Sequence, residues 1–153
     1  MQTEKIKKIA SWLLTAICMA VIFWLSSRTS TESSEQSGAV LNWLISLFGD
    51  GVFTTFIVRK SAHCLEFTGL CLLMNFSLYF TRGRKSPVLA VILTSIYAVT
   101  DEVHQIFVDG RSCELGDWAI DTMGAIFGAL GFLIIIITIE RIIKRKKIDT
   151  ENN

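Results

Sequence analysis

Residues 115–139, LGDWAIDTMGAIFGALGFLIIIITI, decide the fold class of this chain. The stretch contains only two charged side chains, Asp117 and Asp121, and both lie in its first third. About 20 predominantly apolar residues are enough for a helix to cross the hydrocarbon core of a bilayer. The stretch therefore predicts a membrane-spanning helix whose charged groups are confined to one end.

The composition of the whole chain indicates the same class. Of its 153 residues, 51% are hydrophobic and 19% are charged, and the mean hydropathy is +0.48. A soluble domain of this length could not bury so much apolar surface, and these values also exclude a disordered chain. The four cysteines form no CxxC pair, which argues against a zinc finger. We predict one integral membrane domain, 1–153, with membrane lipids as partners and without a nucleic-acid partner.

Three further apolar runs, residues 9–25, 61–80 and 86–108, predict three more spans, although the first of these runs is slightly short. Three lysines precede that first run, so a cleaved signal peptide is the competing interpretation. No small-x-small cleavage site follows the run, which is also somewhat long for the apolar part of a signal peptide. The prediction is an uncleaved first helix and an all-α, four-helix transmembrane bundle.

Basic residues are concentrated at three places that share one side of the membrane if both termini are cytoplasmic. They precede the first span, fill the turn between the second and third spans, and follow the fourth span in the basic tail 140–153. These places hold eleven of the fifteen basic residues, and ten of the fourteen acids fall on the opposite side. The positive-inside rule therefore predicts a multi-pass protein of the bacterial plasma membrane with both termini in the cytoplasm.

The connection 26–60 is the one long loop, and this orientation makes it external. It begins with a stretch rich in Ser, Thr and Glu, residues 26–37, and continues with the amphipathic segment 40–48, which contains Trp43. The segment is too short to span a bilayer and predicts a helix. That helix either lies in the membrane interface or packs against the bundle, and the sequence leaves both interpretations open.

Polar groups inside the predicted spans all fall at one depth, near the external side. A charged residue in a span costs about 2.5–3.5 kcal/mol on insertion scales, so such residues usually face the bundle interior and have partners. The second and fourth spans begin at this depth, the third span ends there, and the turn between the third and fourth spans adds an arginine. The residues of this polar layer are Lys60, His63, Glu66, Asp101, Glu102, His104, Gln105, Arg111, Asp117 and Asp121.

The spacing along the third span predicts which of its polar side chains share a face. Asp101, His104 and Gln105 occupy positions i, i+3 and i+4, which lie on one side of a helix. Glu102 is about 100° away from Asp101 on the helix. We therefore expect Asp101 to point into the bundle and Glu102 to lie to one side, nearer the outer loop.

The fourth span carries a glycine stripe on the face of its two aspartates. Asp117 and Asp121 are four residues apart, and the same face continues through Gly124, Gly128 and Gly131. Small residues let a neighbouring helix approach closely. This face is therefore expected to be the packing face, with both carboxylates directed into the bundle. Whether the stripe also forms a dimer contact stays open.

The residue types in the polar layer suit binding or acid–base chemistry. The hypothetical acid–base residues are His63, Glu66, Asp101, Glu102 and His104. The hypothetical ligand-binding residues, with Lys60 and Arg111 holding an anion, are Lys60, Gln105, Arg111, Asp117 and Asp121. A divalent cation would fit these side chains, but no spacing matches a specific metal motif, so the metal and any other cofactor stay undetermined.

The competing interpretation of the polar layer is an ion-pair network that only fixes the helices. Five carboxylates face two permanent cations in this layer, so protons, protonated histidines or a bound cation must supply the difference. That imbalance favours a site. Transport is a weaker interpretation, because the charges stop at one depth and no polar path leads to the inner side.

At these residues the chain resembles the VanZ-like family of bacterial membrane proteins. The resemblance extends from the first to the fourth span and also includes the pair Ser26-Ser27. It rests on four motifs: Lys60-Ser-Ala-His63-Cys-Leu-Glu66-Phe67, Asp101-Glu102-Val-His104-Gln105, Gly110-Arg111-Ser112 and Asp117-Trp-Ala-Ile-Asp121-Thr-Met-Gly124. Phe67 stands where many members have tyrosine, so this position receives no hydroxyl role.

The resemblance implies a four-helix membrane domain. It also implies a link to tolerance of teicoplanin-type glycopeptide antibiotics, which act outside the cell on peptidoglycan precursors. One hypothesis is therefore an external-side site that recognises or acts on a cell-envelope head group, such as that of a lipid-linked precursor. The alternative is a non-catalytic membrane scaffold whose polar network fixes the helices and whose external loop binds a partner protein. Whether the protein is an enzyme stays undecided.

Overall fold

Five helices make up the computed structural model, which describes residues 2–151. They are α1 (Gln2–Ser26), α2 (Ser30–Phe48), α3 (Thr55–Arg82), α4 (Pro87–Gln105) and α5 (Leu115–Glu151). The described residues contain no strand, so the predicted all-α class is confirmed. α1, α3, α4 and α5 are long and apolar enough to cross a membrane. The protein is therefore a multi-pass membrane protein with four spanning helices.

Several helix ends differ from the predicted limits of the spans; α1 begins at Gln2 and not at residue 9. α3 begins at Thr55 and not at residue 61, because the Thr54 side chain caps it by accepting the N–H of Ile57. α4 ends at Gln105, after which the chain turns through tight hydrogen bonds such as Phe107 N–H to the His104 carbonyl. α5 continues to Glu151, so the described part of the predicted tail is helical.

α2 begins ten residues before the predicted amphipathic segment 40–48. Thr29 and Glu32 form a capping box, in which Thr29 Oγ1 accepts the Glu32 N–H and Glu32 Oε2 accepts the Thr29 N–H. The hydrogen bonds that the Glu32 carboxylate accepts from the Thr29 N–H and from the Thr29 hydroxyl lower the pKa of this carboxyl. Most of the stretch 26–37, predicted as loop, is therefore the first half of α2.

α2 lies on the outside of the bundle and packs against α3. Its buried residues, Ser33 and Ser37, are small and polar, while Trp43 is 61% exposed and Phe48 is 65% exposed. One face of α2 therefore packs on the bundle, as one of the two interpretations predicts. The exposed aromatic side chains on another face suit the membrane interface, as the other interpretation requires.

α3 is the central helix and packs against each of the other four. Its contact with α5 is the closest, because a Cβ atom at Gly124 would overlap the backbone carbonyl of Cys64, and one at Gly128 would overlap that of Thr68. The Thr68 hydroxyl donates to the Gly124 carbonyl at 3.0 Å and joins the two backbones. Gly131 has no neighbouring atom within 4 Å of its would-be Cβ, so the predicted packing stripe stops one glycine earlier.

The two ends of the bundle differ in chemistry. One end, here called the α2 end, holds the C-termini of α1 and α4, the N-termini of α3 and α5, and α2 itself. The opposite end holds the three basic clusters. All ten residues of the predicted polar layer lie towards the α2 end, because each belongs to the half of its helix nearer that end or to the turn located there.

The orientation of the bundle in the membrane can be tested by cysteine labelling. We expect that Gln36→Cys, in a variant lacking the four native cysteines, reacts with a membrane-impermeant reagent on intact cells, because the basic clusters favour the cytoplasm for the other end. Ile148→Cys, exposed near the end of α5, should react only after the cells are opened. Labelling of Ile148→Cys with protection of Gln36→Cys in intact cells would reverse the orientation.

Candidate functional site

A cavity of about 430 Å³ lies between α2 and α3 at the α2 end. Its volume is within the range of about 300–1,000 Å³ that small-molecule sites usually have. Its apolar side is formed mainly by Val40, Leu44, Phe53, Ile57 and Leu65. Its polar side includes Ser26, His63, Glu66, Asp101 and Arg111. The cavity thus joins an apolar wall to a group of ionisable side chains.

Asp101 is held on the polar side by residues of α1 and α4. Its Oδ2 accepts hydrogen bonds from Ser26 Oγ at 3.0 Å and from Gln105 Nε2 at 3.2 Å. Gln105 Nε2 also donates to Ser26 Oγ at 3.1 Å, so the three side chains form a closed group. The other carboxylate oxygen, Oδ1, is buried and has no hydrogen-bond partner. A buried oxygen without a partner is costly unless a ligand or proton satisfies it.

Glu66 lines the same cavity from α3, one helical turn beyond His63. Its carboxylate makes no hydrogen bond and no ion pair with any residue in the range 2–151. Glu66 and Asp101 therefore bring carboxyl groups to the polar side, and the described part of the chain supplies no donor for Glu66 or for Asp101 Oδ1.

Arg111 enters the cavity from the turn between α4 and α5. The turn is fixed against the start of α2: the Ser30 N–H donates to the Asp109 carbonyl at 3.2 Å, and Gly110, with φ +71°, lies against Ser30. Arg111 Nε donates to the Arg28 carbonyl at 3.2 Å, which orients the guanidinium group.

The guanidinium group of Arg111 has no carboxylate within ion-pair distance among the described residues. Burial lowers the pKa of Arg111, and the neighbouring positive charge of Arg59 lowers it further. Arginine stays protonated nonetheless. Its remaining donors make Arg111 the natural group for an anion in this cavity.

His63 and Asp121 form a second pair at the cavity wall, and Asp121 lies behind His63. His63 lines the cavity, and its Nδ1 lies 3.7 Å from Asp121 Oδ1, which is too long for a hydrogen bond. Asp121 is fully buried, and neither of its oxygens has a hydrogen-bond partner. At this distance the Asp121 carboxylate acts on His63 by its charge and not by a hydrogen bond. An imidazole that lines the cavity with a carboxyl group behind it is the candidate for acid–base work there.

Lys60 and Asp117 pair directly and stand outside the cavity wall. Lys60 Nζ also lies 3.4 Å from Glu114 Oε2, so it joins α3 to the start of α5. Glu102 contributes to the same region by accepting the Glu114 N–H at 2.7 Å. These contacts fix helices, which is what the structural interpretation of the polar layer predicts.

His104 does not line the cavity either. Its Nε2 lies 3.0 Å from Ser27 Oγ, and its ring stacks on Phe23 with centroids 4.2 Å apart. The structure thus divides the predicted set into three groups. The cavity group is His63, Glu66, Asp101 and Arg111; the supporting group is Gln105 and Asp121; the group placed elsewhere is Lys60, Glu102, His104 and Asp117.

Sequence reasoning missed the contribution of α2 to the cavity. Ser33, Ser37, Val40 and Leu44 all line the cavity and follow one another at spacings of four, three and four, which is one face of a helix. The capping box at Thr29 was the available signal that the helix starts early enough to present this face. Residues 2–151 contain no group of three or more His, Cys, Asp and Glu side chains arranged to hold a metal ion.

Comparison with known proteins identifies the family of this chain. No curated protein and no solved structure matches the chain. The sequence profile of the VanZ/LLP1 family matches residues 11–137, a region that runs from α1 into α5 and contains every residue of the cavity's polar side. This chain therefore belongs to the VanZ/LLP1 family.

Proposed function

We propose that the protein recognises the head group of a membrane amphiphile in the cavity between α2 and α3. The observation that carries the proposal is the guanidinium group of Arg111, which has no ion-pair partner among the described residues and lines a cavity that also has an apolar wall. A charged head and an apolar chain need these two surfaces side by side.

The side of the membrane on which this occurs follows from the charge asymmetry. If the basic clusters are cytoplasmic, the α2 end faces the outside, where head groups of the cell envelope are found. Tolerance of teicoplanin-type antibiotics, which the family resemblance implies, would then act on the same side. We propose this link for the protein as a consequence of head-group recognition at the α2 end.

The polar side chains divide the work in this proposal. Arg111 holds an anionic group by charge-assisted hydrogen bonds. Glu66 and the free oxygen of Asp101 accept hydrogen bonds from the ligand. His63, with Asp121 behind it, can take up or release a proton, which would allow chemistry on the bound head group.

A scaffold function is the second candidate, and the contacts of Lys60 favour it. Lys60, Asp117 and Glu114 form a network that joins α3 to α5 outside the cavity. This network explains part of the polar layer without a ligand. It does not explain Arg111, whose guanidinium group has no ion-pair partner among the described residues, or Glu66 and Asp101 Oδ1, which accept no hydrogen bond from them.

Replacing the anion-holding arginine is the direct test. We expect the amount of co-purified phospholipid to be at least about tenfold lower for Arg111→Gln than for the parent, since hydrogen bonds to a charged group contribute about 1.5–3 kcal/mol. The measurement is lipid extraction and mass spectrometry of protein purified in mild detergent. Glutamine can still donate to the Arg28 carbonyl, so the turn should keep its place.

Arg28→Gln is the matched control, because it removes the same charge at the same end. Arg28 already contacts Glu32 at 3.5 Å and the ring of Trp24, and it does not line the cavity. This control should retain as much lipid as the parent. Equal lipid retention by the parent, Arg28→Gln and Arg111→Gln would contradict head-group recognition through Arg111.

A further inference from the structure

The charges on the cavity wall restrict the kind of head group that fits. Arg111 supplies one positive charge, whereas Glu66 and Asp101 supply two carboxyl groups beside it. A simple phosphate ester would gain from Arg111, but each of the two carboxyl groups that is ionised would repel it as a like charge. A head group that carries both an anion and a hydrogen-bond-donating cation would satisfy all three residues.

The unpartnered oxygens point to the same requirement. Asp101 Oδ1 is buried without a hydrogen bond, and Glu66 has no donor among the described residues. Buried carboxylate oxygens are normally hydrogen-bonded, so a ligand that brings N–H or O–H groups would satisfy Asp101 Oδ1. A primary ammonium group has three such donors and a positive charge, which suits two carboxyl groups that line one cavity.

The apolar wall of the cavity indicates that the ligand carries a hydrocarbon chain. Leu65 lines the cavity and is 68% exposed, and Ile57 lines it and is 45% exposed. Both side chains belong to α3, a helix that is long and apolar enough to cross a membrane. With α3 in a bilayer, their exposed apolar surface would give an acyl chain an apolar path along this helix. The volume of about 430 Å³ suits a small head group and the start of one chain.

We infer that the cavity takes a phospholipid whose head group joins a phosphate to a primary amine, as in phosphatidylethanolamine. The phosphate lies on Arg111, the ammonium group lies between Glu66 and Asp101, and one chain runs along the apolar wall. This inference rests on the proposed function and narrows it to one ligand class.

Stepwise N-methylation of the amine gives the sharpest test. Phosphatidylethanolamine, its N,N-dimethyl derivative and phosphatidylcholine keep the same phosphate and positive charge but carry three, one and no N–H donors. In titrations followed by native mass spectrometry, the purified protein should bind phosphatidylethanolamine at least about tenfold more tightly than phosphatidylcholine, as expected for two lost charge-assisted hydrogen bonds. The dimethyl lipid should lie between them.

Two further ligands and one variant complete the experiment. Phosphatidylglycerol, with hydroxyl donors and no cation, should bind more weakly than phosphatidylethanolamine. Glycerophosphoethanolamine, which lacks chains, should bind far more weakly than the intact lipid. Glu66→Gln should retain phospholipid but lose most of the preference for phosphatidylethanolamine over phosphatidylcholine, since Glu66 is one of the two proposed acceptors.

The failures of this inference and of the proposed function give different results. Equal binding of phosphatidylethanolamine and phosphatidylcholine, both dependent on Arg111, overturns the amine and leaves head-group recognition standing. Tighter binding of phosphatidylglycerol than of phosphatidylethanolamine also overturns the amine and leaves head-group recognition standing. Equal binding of glycerophosphoethanolamine and the lipid overturns the role of the apolar wall. If no lipid binds in an Arg111-dependent manner, both proposals fail.

Discussion

Replacing Gly124 with alanine should lower the melting temperature of the purified protein by about 2–12 °C. The added Cβ atom would overlap the backbone carbonyl of Cys64, and a backbone atom cannot move aside as the end of a flexible side chain can. Overpacking of this kind costs about 1–3 kcal/mol, sometimes more. In a chain of this size, each kcal/mol corresponds to about 2–4 °C. Separation of α3 from α5 would also break the bond from Thr68 to the Gly124 carbonyl.

Gly131→Ala is the matched control for this prediction, with the same chemical change on the same helix. No atom lies within 4 Å of its would-be Cβ, so the substitution should leave the melting temperature unchanged or raise it slightly. Alanine is favoured over glycine inside a helix by about 0.5–1 kcal/mol. The readout is the soluble fraction after heating in detergent, measured by size-exclusion chromatography. A similar shift for Gly124→Ala and Gly131→Ala would show that the close approach of α3 and α5 is not what Gly124 provides.

The fold follows largely from features that are local in the sequence. Long apolar runs have one physical solution in a bilayer, a helix that satisfies its own backbone hydrogen bonds, so four spans could be predicted. The glycine stripe was visible as a spacing, but spacing cannot show where two helices diverge. The stripe therefore included Gly131, which lies beyond the close contact with α3. The early start of α2 was missed for another reason, since the capping box at Thr29 stands in a polar stretch that composition alone describes as loop.

The common depth of the polar side chains could likewise be predicted, because each follows from its position near a helix end. Their division into a cavity group and a structural group could not. Asp101 and His104 are three residues apart, yet Asp101 contacts Ser26 and His104 contacts Ser27 on the other side of the α1 terminus. Such a division depends on the side chains of the neighbouring helix, and the spacing of residues along one helix carries no information about them.

Asp101→Asn should abolish the function of the cavity while leaving the fold intact. An asparagine has nearly the same shape, and its carbonyl oxygen can replace Oδ2 as the acceptor for Ser26 and Gln105. Its amide nitrogen would then stand where Oδ1 has no partner, and it would present donors where the ligand needs an acceptor. Bacteria that express this variant should lose any teicoplanin tolerance that the parent confers, and the purified variant should, like Glu66→Gln, lose most of the preference for phosphatidylethanolamine over phosphatidylcholine.

The stability of Asp101→Asn separates a site from a structural network. We expect its melting temperature to lie within a few degrees of the parent's, because both hydrogen bonds to the side chain are kept. Asp101→Leu removes the acceptor as well as the charge, strands the donors of Ser26 and Gln105, and should cost about 1–3 kcal/mol. If Asp101→Asn instead fails to accumulate as Asp101→Leu does, and the purified parent carries no lipid, then the charge of Asp101 serves the packing of α1 against α4. In that case the scaffold function replaces the proposed one.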